Sequence, residues 1–334
     1  MKQNYITNPL LSIAIPTYNR SDYLELNLSI LCKQIRESTT EIELIISNNH
    51  STDTTEQVIH KYIDSGIAIR YISNETNIGA DKNIVQCFNL ARGKYVLILG
   101  DDDVLCDGAL NSLIPLLNDN FGVIYLNSYT YNKNYITEAP KIKDNKFIVY
   151  KNTKAFIRKV HVQLTFISAI VTHKSLIVQE LDTEQFLDTN LAQLSWVIPA
   201  LVKAGRNAYF NRHLVAQKAD NTGGYSVCRV FGVNLQHIFN SFVARGIEKS
   251  YFNIITHTLL INFLPSIIIS LKKNQGNFIQ ENYLSTLSTT FKYSPIYWLA
   301  TFPVIILPYR IGKLWYKLCK LLLKICRLPF KLQT

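Results

Sequence analysis

The chain has 334 residues, of which 48% are hydrophobic, and a formal net charge of +11. Residues 282–334 carry eight cations and no anions, so residues 1–281 account for only the remaining +3. The length supports one large domain of about 200 residues with appended segments. A body with so little net charge is not a basic platform for nucleic acid, so we expect no nucleic-acid partner.

The cysteines and the N-terminal stretch bear on the compartment. Six cysteines are widely scattered, without a C-x-x-C pair or clustered histidines to complete a zinc site. Cysteines spread in this way are typical of core residues in a reducing compartment. The stretch MKQNYITNPL has no apolar run long enough for a signal peptide. We therefore expect the body to lie in the cytoplasm.

The first 130 residues alternate short apolar runs of β type with helical stretches. The predicted strands are LLSIAIP, ELIIS, IAIRYIS, YVLIL and GVIYL, and the predicted helices cover 21–36, 54–65, 77–91 and 107–118. This alternation predicts an α/β fold with a mostly parallel sheet flanked by helices.

Each of the first four predicted strands is followed by a polar cluster. In chain order these clusters are PTYNR, NNHSTD, NETNIGADKN and GDDD. The carboxyl ends of parallel strands meet at one edge of a sheet, where ligands bind in such folds. Four clusters at one edge therefore predict a ligand site.

After residue 130 the pattern is less regular. KFIVY and FISAIVTH are predicted strands, a helix is predicted near 190–204, and a turn-rich loop, KADNTGGYS, follows at 218–226. Residues 228–290 are predicted to be mainly helical. Within them, 250–271 carry no charge but are interrupted by polar residues and Pro265, which favours a buried helix hairpin over a membrane span.

The C-terminal segment predicts attachment to a membrane surface. Residues 293–309 are uncharged but contain three prolines and are shorter than the roughly 20 residues that a span needs. A basic amphipathic helix should follow and end before Pro329, with one stripe formed by Arg310, Lys313, Lys317, Lys320, Lys324, Arg327 and Lys331. Packing of this helix on its own domain is the alternative. The wide apolar sector and the absence of acids after Glu281 favour monotopic binding to an anionic membrane.

Three adjacent carboxylates, Asp101, Asp102 and Asp103, come directly after the fourth strand. They repel one another unless a cation is present, and hard divalent cations prefer oxygen ligands. Magnesium often combines one or two carboxylates with substrate phosphates. The cluster therefore predicts a Mg²⁺ or Mn²⁺ site for a nucleotide diphosphate, held by Asp102 and Asp103. A polar turn with a helix cap from Asp107 is the alternative interpretation.

The succession SIAIPTYNR, EIELIISNNHSTDTT and NETNIGADKNIVQCFNLARGKYVLILGDDDV resembles the nucleotide-sugar glycosyltransferases of family 2, which have a GT-A fold. The resemblance covers roughly residues 10–215. Within the family the chain is most similar to bacterial O-antigen transferases of the abequosyltransferase type. The resemblance implies transfer of a sugar, a hexose or deoxyhexose, from a nucleotide-diphosphate donor to a polyprenyl-diphosphate-linked oligosaccharide. It also implies a location at the cytoplasmic face of the inner membrane.

The resemblance also assigns roles to individual residues. It places along the nucleotide Pro16, Thr17, Tyr18, Arg20, Asn48, Asn49, Asp81, Lys82 and Asp101, with Asp102 as the principal metal ligand. Asn48 and Asn49 replace an aspartate that usually faces the nucleotide base. The choice between uracil and cytosine therefore remains open. Gly100 stands at the first aspartate of the family's D-x-D motif, which implies a metal held by fewer protein oxygens.

The catalytic base departs from the family pattern. Inverting members carry an acidic pair where this chain has Gln193 and Leu194, and neither residue can deprotonate an acceptor hydroxyl. Asp188 is the nearest replacement, although it could instead belong to the cap of the following helix. Gln193 is then expected near the acceptor. Asp220 is expected in a lid that glycine residues allow to move.

These expectations define a domain plan and two rival functions. The plan has a GT-A domain at 1–215, with a donor half at about 10–130 and an acceptor half at about 131–215, a loop and helical region at 216–290, and a membrane segment at 291–334. One rival is a nucleotidyltransferase, but PTYNRSDY lacks the glycine-rich phosphate loop usual in such enzymes. The other is a non-catalytic membrane adaptor that retains the fold.

Overall fold

The computed structural model describes residues 8–40, 42–141, 144, 146–219, 224–273, 278–279 and 281–327. The chain divides into two compact units, 1–221 and 222–334. Each unit has its own secondary structure and is described by itself.

The first half of unit 1 has the predicted alternation of strands and helices. Its elements are β1 (Leu11–Thr17), α1 (Ser21–Glu37), β2 (Ile42–Asn48), α2 (Thr55–Asp64), β3 (Ile69–Ser73), α3 (Ala80–Leu90) and β4 (Tyr95–Ile98). These four strands are parallel and lie in the order β3-β2-β1-β4. Their carboxyl ends, with the polar clusters that follow them, therefore lie at one edge of the sheet.

The second half of unit 1 extends this sheet and adds a small one. Its elements are β5 (Val104–Leu105), α4 (Ala109–Leu113), β6 (Val123–Tyr125), β7 (Ser128–Tyr131), β8 (Phe147–Tyr150), α5 (Thr153–Val160), β9 (Ile170–His173), α6 (Leu194–Lys203), β10 (Asn207–Phe210) and β11 (Val215–Lys218). The main sheet has the order β3-β2-β1-β4-β9-β6-β10-β8, and β9 is antiparallel to both neighbours. The small sheet has the order β5-β11-β7. The predicted α/β fold with helices flanking a mostly parallel sheet is confirmed.

Helix α3 is held firmly against the sheet and against α6. The rings of Phe88 on α3 and Trp196 on α6 stack with centroids 4.2 Å apart. At the C-terminal end of α3, Lys174 Nζ donates to the carbonyl oxygens of Phe88 at 2.6 Å and Ala91 at 2.7 Å. Because a helix ends with unpaired carbonyl groups, this buried lysine satisfies them and anchors the helix.

Unit 2 is helical. Its helices are α7 (Leu235–Ala244), α8 (Lys249–Thr258), α9 (Leu264–Lys272), α10 (Tyr283–Phe291), α11 (Phe302–Ile306) and α12 (Tyr309–Arg327). Wider π-helical turns lie at Arg229–Asn234, Leu259–Phe263 and Tyr297–Thr301.

The helix hairpin predicted over 250–271 is wrong. Helix α8, the π-helical turn Leu259–Phe263 and α9 form one continuous helix from Lys249 to Lys272. Pro265 cannot donate a backbone hydrogen bond, but the wider turn directly before it lets the helix continue. This helix is long and apolar enough to cross a membrane, and 33% of its most apolar window is buried within the protein.

The predicted amphipathic C-terminal helix is α12, which runs from Tyr309 to Arg327. Gly312 is buried in it, and Trp315 Nε1 donates to the carbonyl oxygen of Leu299 at 2.8 Å. One face of α12 thus packs on unit 2. A second, apolar face is exposed and consists of Ile311, Leu314, Leu318, Leu321 and Leu322. Lys331 of the predicted basic stripe lies outside the described residues.

Candidate active site

The three aspartates after β4 differ in exposure. The side chain of Asp102 is 16% exposed, whereas that of Asp101 is 6% exposed, and Asp103 as a residue is 5% exposed. Asp101 and Asp103 therefore point into the protein, and Asp102 is the carboxylate most open to a ligand.

Asp101 joins the ends of β1 and β4. Its Oδ2 atom accepts a hydrogen bond from Thr17 Oγ1 at 2.8 Å, and its Oδ1 atom accepts one from Arg20 Nη1 at 3.1 Å. The same Arg20 nitrogen lies 3.5 Å from Asp102 Oδ2. Burial raises the pKa of Asp101 to about 6, Arg20 opposes the rise, and the charge of Asp102 adds to it. Arg20 thus balances part of the negative charge of two carboxylates.

Asp103 connects the loop to the rest of unit 1. Its Oδ2 atom accepts a hydrogen bond from Ser168 Oγ at 2.5 Å, and its Oδ1 atom accepts one from the backbone N–H of Lys218 at 3.2 Å. Burial, and then the charge of Asp102, raise its pKa. With both oxygens bonded to the protein, Asp103 is arranged to hold the loop together. Asp102 is better placed to contact a metal.

Sequence reasoning missed Asn27, which supports the same loop from α1. Its Nδ2 atom donates to the carbonyl oxygens of Gly100 at 3.0 Å and Asp103 at 2.8 Å. A signal was available, because Asn27 interrupts the apolar face of a helix whose neighbouring residues are buried leucines. The contacts of Ser168 and Lys218 had no such local signal.

A side chain at Gly100, such as the family's first aspartate, would be crowded by the neighbouring side chains. A Cβ atom at this position would lie 3.0 Å from Asp102 Oδ1 and 3.1 Å from Asp103 Oδ2. A carboxylate there would add both steric crowding and a further negative charge.

Asn48 and Asn49 are buried and brace the loops around them. Asn48 Nδ2 donates to the Tyr71 hydroxyl at 3.1 Å. Asn49 Nδ2 donates to Asn77 Oδ1 at 2.9 Å, while its Oδ1 atom accepts from the backbone N–H of Ile78 at 3.0 Å. These amides determine the shape of the loops after β2 and β3.

The loop after β1 is fixed by a second residue that sequence reasoning missed. Asn19 has a left-handed backbone with φ 51°, and its Oδ1 atom accepts from the Thr52 N–H at 2.7 Å. This bond ties the β1 loop, which follows the half-buried Pro16, to the β2 loop. Between them Tyr18 is exposed at the edge of the sheet, where an aromatic ring can contact a ligand.

The structure brings Asp188 close to Asp81 and Lys82. Asp81 is 8% exposed, and its Oδ2 atom accepts from the backbone N–H of Asn190 at 2.9 Å. A cavity of about 210 Å³ is lined by Gly79, Asp81, Lys82, Asp188 and Asn190. Asp188 does not cap α6, whose first turn follows Gln193.

Two further residues, Gln193 and Asp220, were predicted to lie near the acceptor and in a lid. Gln193 is buried, and its Nε2 atom donates to the carbonyl oxygen of Thr165 at 2.7 Å. Its amide therefore braces the segment before β9. Asp220 lies outside the described residues.

The carboxylate oxygens after β4 fit a divalent cation that is coordinated partly by the protein and partly by a bound substrate. Across the described ranges, no group of three or more His, Cys, Asp or Glu residues is arranged to hold a metal. The oxygen ligands at the β4 edge are carboxylates, and Asp102 is the most open of them. Such a set suits Mg²⁺ or Mn²⁺, which commonly complete their coordination with phosphate oxygens and water.

Known glycosyltransferases are similar in sequence to part of this chain. The abequosyltransferase RfbV of Salmonella typhimurium is 40% identical over 118 residues, which are 35% of each chain. The GalNAc(5)-diNAcBac-PP-undecaprenol beta-1,3-glucosyltransferase of Campylobacter jejuni is 30% identical over 120 residues, 36% of this chain and 38% of that one. The matches thus span little more than a third of these relatives.

A solved structure matches over a longer stretch. The crystal structure of S. aureus TarS 1-349 in complex with UDP-GlcNAc has a TM-score of 0.58 and 17% identity, covering 92% of this chain and 91% of that one. This likeness establishes the fold alone. The sequence profile described as Glycosyl transferase family 2 matches residues 12–182, about half of the chain. The chain therefore belongs to glycosyl transferase family 2.

Proposed function

We propose that the protein transfers a sugar from a nucleotide-diphosphate donor to a lipid-linked glycan. One observation carries this proposal: in a family 2 fold, Thr17 at the end of β1 and Arg20 after it contact carboxylates that follow β4 at the ligand edge of the sheet. The UDP-GlcNAc complex of TarS, a neighbour in fold, supports a donor of this class.

The chain's own residues can perform distinct parts of the reaction. Asp102 would hold Mg²⁺ or Mn²⁺, which when bound neutralises the charge that develops on the leaving diphosphate. Arg20 keeps Asp102 and Asp101 oriented. Lys82 is exposed beside the cavity and can contact a phosphate. Asp188 lines the same cavity and can accept the proton of the acceptor hydroxyl.

The acceptor that we propose is an oligosaccharide on polyprenyl diphosphate, as in O-antigen synthesis. The similarity to an abequosyltransferase and to a glucosyltransferase named for an undecaprenol-linked acceptor supports it. Such an acceptor places the enzyme at the cytoplasmic face of the inner membrane.

A panel of nucleotide sugars tests the activity. UDP-, GDP-, CDP- and dTDP-sugars are incubated with Mn²⁺, the full chain and an undecaprenyl-diphosphate-linked oligosaccharide, and release of nucleoside diphosphate is measured. We expect one donor to support release that depends on the acceptor. Binding of nucleotide without turnover on any donor would favour the non-catalytic adaptor instead. In a parallel assay with nucleoside triphosphates and sugar 1-phosphates, formation of a nucleotide sugar and pyrophosphate would favour the nucleotidyltransferase.

We further propose that α12 binds an anionic membrane surface. The packed face of α12 includes Gly312, so its exposed apolar face is not needed within unit 2. Leu314 on that face is 68% exposed. The exposed cations Arg310, Lys313, Lys317 and Lys320 lie beside it on the helix surface. An apolar face flanked by cations is the arrangement that binds lipid interfaces.

Neutralising these four cations tests the membrane proposal. Each cation near an anionic leaflet contributes about 1 kcal/mol, so changing all four to Gln should weaken vesicle binding by up to about 10³-fold. The residual binding should be less sensitive to salt, because screening acts on charges. Sedimentation with phosphatidylglycerol vesicles at several salt concentrations measures both effects.

Truncation at residue 309 is the coarser variant of the same test. It should weaken binding further while leaving diphosphate release on short soluble acceptors, because the polar clusters all precede residue 104. If neither variant changes vesicle binding or its salt dependence, and truncation unfolds the body, α12 is a structural helix only.

A further inference from the structure

The carboxylate of Asp81 lies in a cradle of backbone amides. Its Oδ2 atom accepts a hydrogen bond from the N–H of Asn190 at 2.9 Å. Burial raises the pKa of Asp81, and the neighbouring N–H groups of Asn190, Thr189 and Asp188 oppose the rise. Successive backbone N–H groups that converge on one point form a strong site for an anion. Here the anion is a side chain of the protein itself, 109 residues away in sequence.

The turn that supplies these amides has an unusual backbone, although Asp and Asn adopt the left-handed region more readily than other non-glycine residues. Asp188 has φ 63° and Asn190 has φ 57°, so two non-glycine residues within three positions are left-handed. Such residues are uncommon and persist where surrounding contacts hold them. The Asp81 carboxylate provides such a contact, because it bonds to the amides of this turn.

Asp81 can hold the turn because α3 is itself held. Two residues beyond it, Asn83 Nδ2 donates to the carbonyl oxygen of Ser47 at 3.0 Å, and Ser47 Oγ donates to Asn83 Oδ1 at 2.6 Å. These buried bonds fix the start of α3 to the end of β2. The stacking of Phe88 on Trp196 and the Lys174 contacts fix the rest of the helix.

We propose that Asp81 is a positioning residue for the catalytic base: its carboxylate holds the turn 188–190 so that Asp188 lines the same cavity as Lys82. This role rests on the proposed function, because it assigns Asp188 as the base. It differs from a contact with the nucleotide base or diphosphate, since the carboxylate is buried and directed at protein amides. Helix α3 thereby connects the end of β2 to the turn that carries the proposed catalytic base, Asp188.

Hydrogen exchange tests the contact without any assumption about the substrate. Hydrogen bonds to a charged group are among the stronger ones in proteins. In the full chain, Asp81→Asn should therefore speed exchange of the amides of 188–190 by about tenfold or more. Exchange within Asn83–Leu90 should remain slow. Asp182→Asn is a matched control, because the Asp182 carboxylate accepts the N–H of Glu184, in the same segment but outside the turn 188–190.

Kinetics then separate positioning from ligand contact. With the nucleotide sugar that gives the fastest diphosphate release, Asp81→Asn should lower kcat about tenfold or more and leave KM for the donor nearly unchanged. Calorimetric affinity for the matching nucleoside diphosphate with Mn²⁺ should also be retained. In an Asp188→Asn background, Asp81→Asn should cost almost nothing further, because the two residues act as one unit. Asp81→Glu should restore part of the lost turnover.

Several results would overturn the proposal. Unchanged exchange at 188–190 in a folded Asp81→Asn variant would show that the turn does not depend on the carboxylate. Loss of nucleotide affinity in step with turnover would make Asp81 a ligand contact, and additive kinetic effects would separate it from Asp188. Should Asp81→Asn not fold, Asp81→Glu, with its displaced carboxylate, must show the faster exchange. Full activity of Asp188→Asn would instead refute the proposed base, whereas the exchange result would still decide on the contact.

Discussion

Asp102→Ala is expected to lower sugar transfer about 10³-fold with the donor and acceptor at saturating concentrations. Losing one group that stabilises charge in a transition state typically costs this much. Asp102 is the most open carboxylate of the cluster and lies beside Arg20, so its loss removes the proposed metal ligand. Initial rates of nucleoside diphosphate release with Mg²⁺ or Mn²⁺ measure the effect.

The fold should survive this change, because a partly exposed carboxylate in a turn contributes little to the core. The thermal midpoint and the circular dichroism spectrum check this point. Asp64→Ala is the control, since Asp64 is an exposed aspartate at the end of α2. Loss of a group that stabilises charge in the transition state is expected to lower turnover about 10²-fold or more. If Asp102→Ala keeps more than about a tenth of wild-type turnover, Asp102 is not the metal ligand.

Asp188→Asn is expected to lower turnover by about 10² to 10⁴, the range for losing a general base. The amide keeps the shape of the side chain but cannot accept a proton at neutral pH. KM for the donor should change little, because the base acts on the acceptor hydroxyl.

Asp182→Asn is the matched control for this variant, because it changes an aspartate in the same segment. Unchanged turnover of Asp188→Asn would remove Asp188 as the base. NMR spectroscopy of the product's anomeric centre would then show whether the reaction inverts configuration and whether a base is required.

The sequence predicted the fold and the edge of the sheet that carries the site. Buried strands such as LLSIAIP and YVLIL are mainly apolar runs. This pattern can be recognised in the sequence without knowledge of tertiary contacts. Asp101, Asp102 and Asp103 are adjacent in the chain, so their proximity was certain. The sequence did not show which of the three carboxylates is open to a ligand and which are bonded to the protein. That difference depends on burial and on partners elsewhere in the chain.

Those partners could not be predicted, because they come together only through folding. Ser168 and the backbone of Lys218 bond to Asp103 across 65 and 115 residues. A backbone N–H leaves no mark in the sequence at all. The continuous helix through Pro265 was missed for a related reason, since the π-helical turn that accommodates the proline has no simple residue signature.

The proposed role of Asp102 is to bind a divalent cation together with a nucleoside diphosphate. Electron paramagnetic resonance of Mn²⁺ tests it directly, because bound Mn²⁺ loses its free-ion signal. Titrations are compared with and without UDP, GDP, CDP or dTDP, in the wild type and in Asp102→Ala. We expect the wild type to bind Mn²⁺ weakly without nucleotide and tightly with one of the four nucleotides, and we expect the variant to lose that enhancement. Equal Mn²⁺ binding by the variant and the wild type in the presence of each nucleotide would contradict it.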